Sequence, residues 1–155
     1  MQIVNPATEV VEGIEETSLS EINPRITAAR EAQVHWGLKS VGERACILNG
    51  LVENFHQHSE DLVAAIMLDM GKPRRKSIFE LKITTDLVRH TAAHAEEWLA
   101  QDFVAGSTIL HQPLGVAAVI SPWNFPLYIS CTAILPALMA GNEPVPVVWT
   151  VFRRS

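Results

Sequence analysis

The sequence predicts a helix-rich α/β protein. Stretches with apolar residues at helical spacing fill most of the chain before Gly106, a continuous apolar run follows at Val116–Ile120, and a turn then leads into another helical stretch. An uninterrupted apolar run of this length is typical of a strand that is covered on both faces. Strand, turn and helix in this order form the opening unit of an α/β nucleotide-binding fold.

The composition excludes several classes of protein. The chain has 155 residues, of which 48% are apolar and 19% are charged, which suits one domain or a piece of a larger one. Its net charge of -5 disfavours binding to nucleic acid or to an anionic membrane surface. No apolar run is long enough to cross a membrane, and the N-terminus does not resemble a secretory signal. We therefore expect a cytoplasmic protein with reduced thiols.

The N-terminal segment predicts a hairpin and a helix. The sequence Asn-Pro-Ala-Thr at residues 5–8 is typical of a turn, and we expect a surface hairpin around it. Ser18 and Glu21 have the spacing of a capping box, but a helix that begins there would contain Pro24, which lacks a backbone N–H. We therefore expect Asn23 to cap a helix over residues 24–36, with Pro24 at its first position.

Two further helices follow from capping and stop signals. Ser40 and Glu43 form a capping box, and apolar residues at helical spacing follow it, which predicts a helix over 41–57. A third helix is expected over 60–70, and it should end at Gly71 because a Gly followed by Pro is a strong stop signal.

The longest helix is expected over 75–100. Its apolar face is defined by residues spaced alternately three and four apart: Ile78, Leu81, Thr85, Val88, Ala92, Ala95 and Leu99. Strands are expected near 107–111 and 116–121, and a last helix over 126–140 should begin at Pro126 and end at Gly141.

The region after residue 112 resembles the NAD(P)-dependent aldehyde dehydrogenases. The run PLGVAAVISPWNFPL at 113–127, continued by PALMAGN at 136–142, is similar to the most distinctive region of that family. NPAT near the start, the pair Glu43-Arg44 and MGKP at 70–73 fall in the family's order. The resemblance covers residues 1–142 and implies an N-terminal fragment of the aldehyde dehydrogenase fold: a helical part and the first strand, turn and helix of the dinucleotide-binding domain.

The resemblance also implies site residues. Asn124 matches the residue that donates a hydrogen bond to the oxygen of the cysteine thiohemiacetal formed during aldehyde oxidation. Its position just past the predicted strand agrees with this role, because open α/β sheets bind ligands at that edge. The alternative is that Trp123 and Phe125 are simply core aromatics beside a turn. The residues that match the wall along which NAD or NADP lies are Ile120, Ser121, Pro122, Trp123 and Asn124.

Other reactive side chains are expected to be structural. His90 and His94 lie one helical turn apart near Glu97, but no recognisable third ligand accompanies them, so we expect a solvated face and no metal site. Cys131 and Cys46 fall on apolar helical stripes and are expected to be core residues, not nucleophiles.

The resemblance is lost after Asn142. The family continues with a second buried strand, a Lys-Pro segment, a general-base Glu and the nucleophilic Cys, whereas residues 143–155 contain no Lys and are expected to form a divergent tail, as after a reading-frame change. We therefore expect a truncated form that is inactive alone and binds its cofactor weakly. The alternative is a helical interaction module that associates with itself or with an intact dehydrogenase subunit. The substrate implied for the intact family is a small-molecule aldehyde.

Overall fold

The computed structural model describes residues 2–13 and 17–148. Strands pair within these residues as two antiparallel hairpins and one parallel pair. The predicted helix-rich α/β class is confirmed. The elements, in chain order, are β1 (Gln2–Val4), β2 (Val11–Gly13), α1 (Leu19–Gly37), α2 (Val41–Asn49), α3 (Leu51–Gln57), α4 (Ser59–Met70), α5 (Arg74–Trp98), β3 (Asp102–Val104), β4 (Ser107–Ile109), β5 (Val116–Ser121), α6 (Tyr128–Met139) and β6 (Glu143–Val148).

The N-terminal hairpin is attached to α4 through Asn5. This side chain is 5% exposed, and its amide nitrogen donates to the backbone carbonyls of Met67 and Leu68 at 3.1 and 2.6 Å. Its oxygen accepts from the N–H groups of Ala7 and Thr8, which closes the predicted turn. Carbonyls in the last turn of a helix need partners outside the regular ladder, and Asn5 supplies one.

The first helix begins earlier than predicted. It starts at Leu19, and the Glu21 carboxylate accepts from the backbone N–H of Ser18 at 2.8 Å, so the capping box is used and the expected start at Asn23 is wrong. Pro24 lies inside the helix. The break in the backbone ladder is tolerated because this part of α1 is exposed, so that water can solvate the carbonyl that Pro24 leaves without a donor.

The helix predicted over 41–57 is two helices. It is interrupted at Gly50, whose N–H bonds to the Ile47 carbonyl at 3.1 Å and tightens the turn. The predicted stop after α4 is confirmed: Gly71 has a left-handed backbone with φ +65°, and a Cβ placed there would lie 2.9 Å from the Ala7 Cβ.

Helix α5 forms the centre of the helical part and packs against α2, α3, α4 and α6. The predicted apolar stripe is buried at Leu81, Val88 and Ala95, but Ile78 is 48% exposed. The buried face instead includes polar residues, of which Thr84 donates to the carbonyl of Glu80 at 2.8 Å. Those buried polar residues are Ser77, Glu80, Thr84 and Thr91. Sequence periodicity missed them because it scores only apolar positions.

The strand β5 is covered on one face within the described residues. Val119 and Ser121 are buried beneath α6, whereas Ile120 is 67% exposed, so one of the two faces that such an apolar run normally buries is open within the described residues. Successive side chains point to opposite faces, and α6 covers only one of them.

The second strand of this sheet is present, contrary to expectation. Strand β6 runs parallel to β5, in register from Val116 opposite Glu143 to Ser121 opposite Val148. The N–H of Glu143 bonds to the Gly115 carbonyl at 2.9 Å. By alternation, Pro144 falls where an N–H would point away from β5, which a strand at the edge of a sheet tolerates. Residues 149–155 of the expected tail lie outside the described residues.

The remaining hairpin was only partly predicted. The expected strand over 107–111 is confirmed as β4, but its partner β3 was missed because each strand has only three residues. A turn with positive φ at Ala105 (50°) and Gly106 (80°) joins them. Within 2–13 and 17–148, no helix has the length and apolar character that a membrane crossing requires.

Candidate functional site

The predicted site residues lie at the carboxyl end of β5 and in the turn that follows it, residues 122–127, which we call the β5–α6 turn. Asn124 and Pro122 are exposed, and Ile120 is exposed on the open face of the strand. Trp123 and Phe125 are half-buried rather than fully buried core aromatics. The structure therefore brings four of the five predicted cofactor residues to an accessible edge of the sheet.

Ser121 differs from the other predicted cofactor residues. It is 3% exposed, and its Oγ lies 2.7 Å from the Oγ of Ser130 on α6. Ser130 donates its hydroxyl hydrogen to the Pro126 carbonyl at 2.6 Å. In the bond between the two hydroxyls, Ser121 is therefore the donor and Ser130 the acceptor. The Ser121 side chain fastens the strand to the helix, and its assignment as a cofactor contact stays a prediction.

A buried carboxylate holds the start of α6. The helix begins at Tyr128 rather than at the predicted Pro126. Glu80 has no exposed surface, and its Oε1 accepts from the backbone N–H groups of Leu127 and Tyr128 at 3.0 and 3.1 Å. These are among the N–H groups that a helix start leaves without intrahelical partners, and a negative charge there also suits the helix dipole.

Lys72 joins this carboxylate to the β5–α6 turn. Its Nζ forms an ion pair with Oε2 of Glu80 and donates to the Asn124 carbonyl at 2.9 Å. The same ammonium lies 3.9 Å from the centroid of the Phe125 ring. Sequence reasoning used this Lys only as part of the MGKP motif at 70–73 and missed Glu80 altogether. The available signal was the alignment of Ser77, Glu80 and Thr84 on one face of α5.

The C-terminal end of α6 is held by side chains from α1 and α2. Trp36 donates to the Leu138 carbonyl at 2.8 Å, and Arg44, which is 6% exposed, donates through Nε to the Met139 carbonyl at 2.8 Å. Burial lowers the pKa of Arg44. A carboxylate at one end of α6 and a guanidinium at the other both suit the helix dipole, so the helix that positions the turn is anchored at both ends.

Comparison with known proteins decides the family. The sequence model of the aldehyde dehydrogenase family matches residues 1–147. This chain belongs to the aldehyde dehydrogenase family. The match confirms the resemblance and extends it past Asn142 into β6, whereas the division of the chain into residues 1–142 and a tail of 143–155 stays a prediction.

Individual aldehyde dehydrogenases agree with this assignment. Fluoroacetaldehyde dehydrogenase of Streptantibioticus cattleyicolor is 35% identical over 139 residues, which are 85% of this chain and 27% of that protein. The 2-hydroxymuconic semialdehyde dehydrogenase of Pseudomonas sp. strain CF600 is 33% identical over 153 residues, which are 92% of this chain and 32% of that protein. The chain thus spans about a third of the length of these relatives.

A solved structure confirms the fold. The NADP-dependent glyceraldehyde-3-phosphate dehydrogenase of Bacillus halodurans, complexed with NADP, superposes with a TM-score of 0.84 at 32% identity. The superposition covers 94% of this chain and 33% of that protein. The predicted fold, an N-terminal part of the aldehyde dehydrogenase architecture, is therefore confirmed.

The two thiols lie in contrasting environments. Cys131 is buried in the cluster with Val88 and Leu135, and burial, assisted by the negative charge of Glu80, raises its pKa to about 11. A thiol with this pKa is neutral at physiological pH and a poor nucleophile. Cys46 is exposed, so its predicted core position is wrong, because its neighbour Ala45 takes the buried face of α2.

The two histidines of α5 lie close together, with their rings tilted by 43°. The rings of His90 and His94 are 4.3 Å apart between centroids, and His94 stacks on Trp98 at 5.4 Å. His94 Nδ1 lies 2.8 Å from the His90 carbonyl. Among residues 2–13 and 17–148, no group of three or more His, Cys, Asp or Glu side chains could hold a metal ion.

Proposed function

We propose that this chain supplies the oxyanion-donor segment of an NAD(P)-dependent aldehyde dehydrogenase active site, with Asn124 as the donor. The observation that supports the proposal is the position of Asn124: its side chain is exposed beyond β5, and its backbone carbonyl is held by Lys72 at 2.9 Å. When a thiolate attacks an aldehyde, the carbonyl oxygen becomes negative. A fixed amide N–H aimed at that oxygen lowers the barrier by about 3 kcal/mol.

The cofactor edge fits the same proposal. Ile120 and Pro122 are exposed at the carboxyl end of a parallel strand pair, where open α/β sheets bind ligands. The NAD(P) cofactor, when bound, accepts the hydride released as the aldehyde becomes a carboxylate. The role of Ile120 and Pro122 is to give the cofactor an apolar wall. The proposed substrate class is a small-molecule aldehyde, and the proposed cofactor is NAD or NADP.

A chimera tests the role of Asn124. Residues 2–147 replace the matching segment of 2-hydroxymuconic semialdehyde dehydrogenase, whose remainder completes the enzyme, and steady-state oxidation of its semialdehyde is measured. We expect Asn124→Ala to lower kcat by about 10²- to 10³-fold, as for other oxyanion donors. Asn54→Ala, at an exposed position on α3, is the matched control and should leave kcat unchanged. An inactive parent chimera, or equal kcat values for the Asn124 and Asn54 variants, contradicts the proposal.

The 155-residue chain alone is proposed to be inactive and to bind NAD(P) weakly. Asn124 acts only after a thiolate has attacked the aldehyde, and Cys131 is a neutral, buried thiol. Adding NAD or NADP and short, aromatic or semialdehyde substrates should produce no reduced nicotinamide. Activity that is abolished by Cys131→Ser would contradict this, whereas activity that survives loss of both thiols would identify a contaminating enzyme.

A second candidate function is association with a copy of this chain or with an intact dehydrogenase subunit. The observation that favours it is the open face of β5, where Ile120 is 67% exposed. A fragment with this face open could complete or disturb an oligomer. Light scattering of the isolated chain tests self-association, and co-elution with a purified relative tests association with an intact subunit.

A further inference from the structure

We propose that Lys72 and Glu80 act as a positioning pair that fixes the peptide of Asn124, an inference that rests on the function proposed for Asn124. We assign the pair to positioning and not to contact with substrate or cofactor. It acts through the β5–α6 turn, by holding the Asn124 carbonyl and the N–H groups of Leu127 and Tyr128.

Both oxygens of the Glu80 carboxylate have partners in this region. It has no exposed surface, and Oε1 receives two backbone N–H groups from the start of α6, while Oε2 is paired with Lys72. If this buried carboxylate lost Lys72 its charge would be uncompensated, and if it lost either N–H group an oxygen would lose a hydrogen-bond donor. The position of Glu80 on α5 therefore dictates where α6 begins.

Lys72 extends the same constraint to the donor residue. Its side chain is 9% exposed, and its ammonium contacts three groups at once: the Glu80 carboxylate, the Asn124 carbonyl at 2.9 Å and the face of the Phe125 ring at 3.9 Å. The peptide between Asn124 and Phe125 is thereby fixed from outside the turn. Rotation about the side-chain bonds is then the main freedom left to the Asn124 amide.

Comparison with an ion pair on the same helix shows what is special about this one. Lys82 and Asp86 pair at 2.6 Å across one turn of α5, with side chains 70% and 50% exposed. An exposed pair of this kind contributes little to stability, and a buried pair is offset by the cost of removing its charges from water. The geometry that the buried pair imposes on the β5–α6 turn therefore matters more than its contribution to stability.

Nuclear magnetic resonance relaxation on the ¹⁵N-labelled 155-residue chain tests the proposal. The N–H of Phe125 shares a peptide plane with the Asn124 carbonyl, and the side-chain amide of Asn124 reports the donor itself. In the double variant Lys72→Met/Glu80→Gln, the Gln oxygen can still accept from the start of α6, but the bond to Asn124 is lost. We expect the order parameter of the Phe125 N–H to fall from about 0.85 to below about 0.6, and that of the Asn124 side-chain amide to fall with it from its lower starting value.

Four comparisons make the result specific. Amide exchange at Leu127 and Tyr128 should stay slow in the double variant, because their acceptor is kept. Lys72→Arg, which retains a charged donor, should preserve the order of Asn124, and Lys82→Met should change nothing at the turn. The order parameter of the Val88 backbone N–H, in the core, reports any general loosening of the fold.

The proposal is overturned if Asn124 and Phe125 keep their order in the double variant. It is also overturned if order falls equally at Val88 or if the double variant does not fold, because the pair would then act on the fold as a whole. No cofactor, aldehyde or turnover enters this experiment. Its failure leaves the oxyanion role of Asn124 standing, and an inactive chimera leaves the positioning result standing.

Discussion

Replacing Arg44 with Met is expected to loosen the C-terminal end of α6. Met keeps an unbranched stem in the buried space but removes the guanidinium. Arg44 is 6% exposed, and it donates through Nε to the Met139 carbonyl at 2.8 Å and through Nη1 to the Lys39 carbonyl. The variant leaves both carbonyls without this donor.

The size of the effect follows from these two bonds. A hydrogen bond made by a charged group contributes about 1.5 to 3 kcal/mol, so the two together contribute about 3 to 6 kcal/mol. Burial of the guanidinium, which lowers the pKa of Arg44, offsets part of this. We expect a net loss of about 2 to 4 kcal/mol, a large share of the 5 to 15 kcal/mol that is typical of a whole domain.

Urea unfolding followed by far-ultraviolet circular dichroism measures this loss. Gln33→Ala is the control, because Gln33 makes one neutral hydrogen bond to the Gly141 carbonyl at 3.0 Å at the same end of α6. That variant should lose about 1 kcal/mol. If Arg44→Met lost no more than Gln33→Ala, the reasoning that Arg44 anchors α6 would be refuted.

Three further outcomes are expected. Burial raises the pKa of Cys131 from 9.0 to about 11, so the thiol ionises at lower pH in the unfolded chain than in the folded one. The free energy of unfolding should therefore fall as pH rises from about 9 to about 11. Urea titrations should show a smaller fall for Cys131→Ala. Gly71→Ala should destabilise the protein by about 1 to 2 kcal/mol because the backbone there is left-handed, and the added Cβ would also contact Ala7. If Asn5 attaches the N-terminal hairpin to α4 as described, the variant should also be cleaved faster by proteases in that hairpin. Ile120→Lys should shift light scattering of the isolated chain towards monomer, whereas unchanged scattering would show that the open face of β5 does not mediate association.

The sequence predicted the helical part of the fold well where local chemistry decides the outcome. Gly71 ends α4 because its backbone needs positive φ, and the turn at Asn5 forms because the Asn side chain bonds its own following N–H groups. The start of α1 was misplaced because exposure lets the backbone tolerate Pro24, and exposure cannot be judged from local spacing alone.

The candidate site was predicted only where a motif named it. Asn124 and its neighbours were assigned through family resemblance and their roles stay predictions, whereas Glu80 and Lys72 were missed because their contacts involve positions 124–128, far along the chain. Strand β6 was also missed, because the absence of the family's Lys-Pro segment after Asn142 predicted a divergent tail; the pairing shows that Pro144 stands where no N–H towards β5 is needed. Long-range packing supplied this information.

The most direct test of the central claim is the single-turnover rate of reduced-nicotinamide formation in the chimera, at saturating aldehyde and cofactor. This rate isolates the chemical steps from product release, which a steady-state kcat does not. If Asn124 is the oxyanion donor, Asn124→Ala should slow the single turnover by about 10²- to 10³-fold, while Asn54→Ala should leave it unchanged. An Asn124→Ala chimera that forms reduced nicotinamide at the parent rate would contradict the claim.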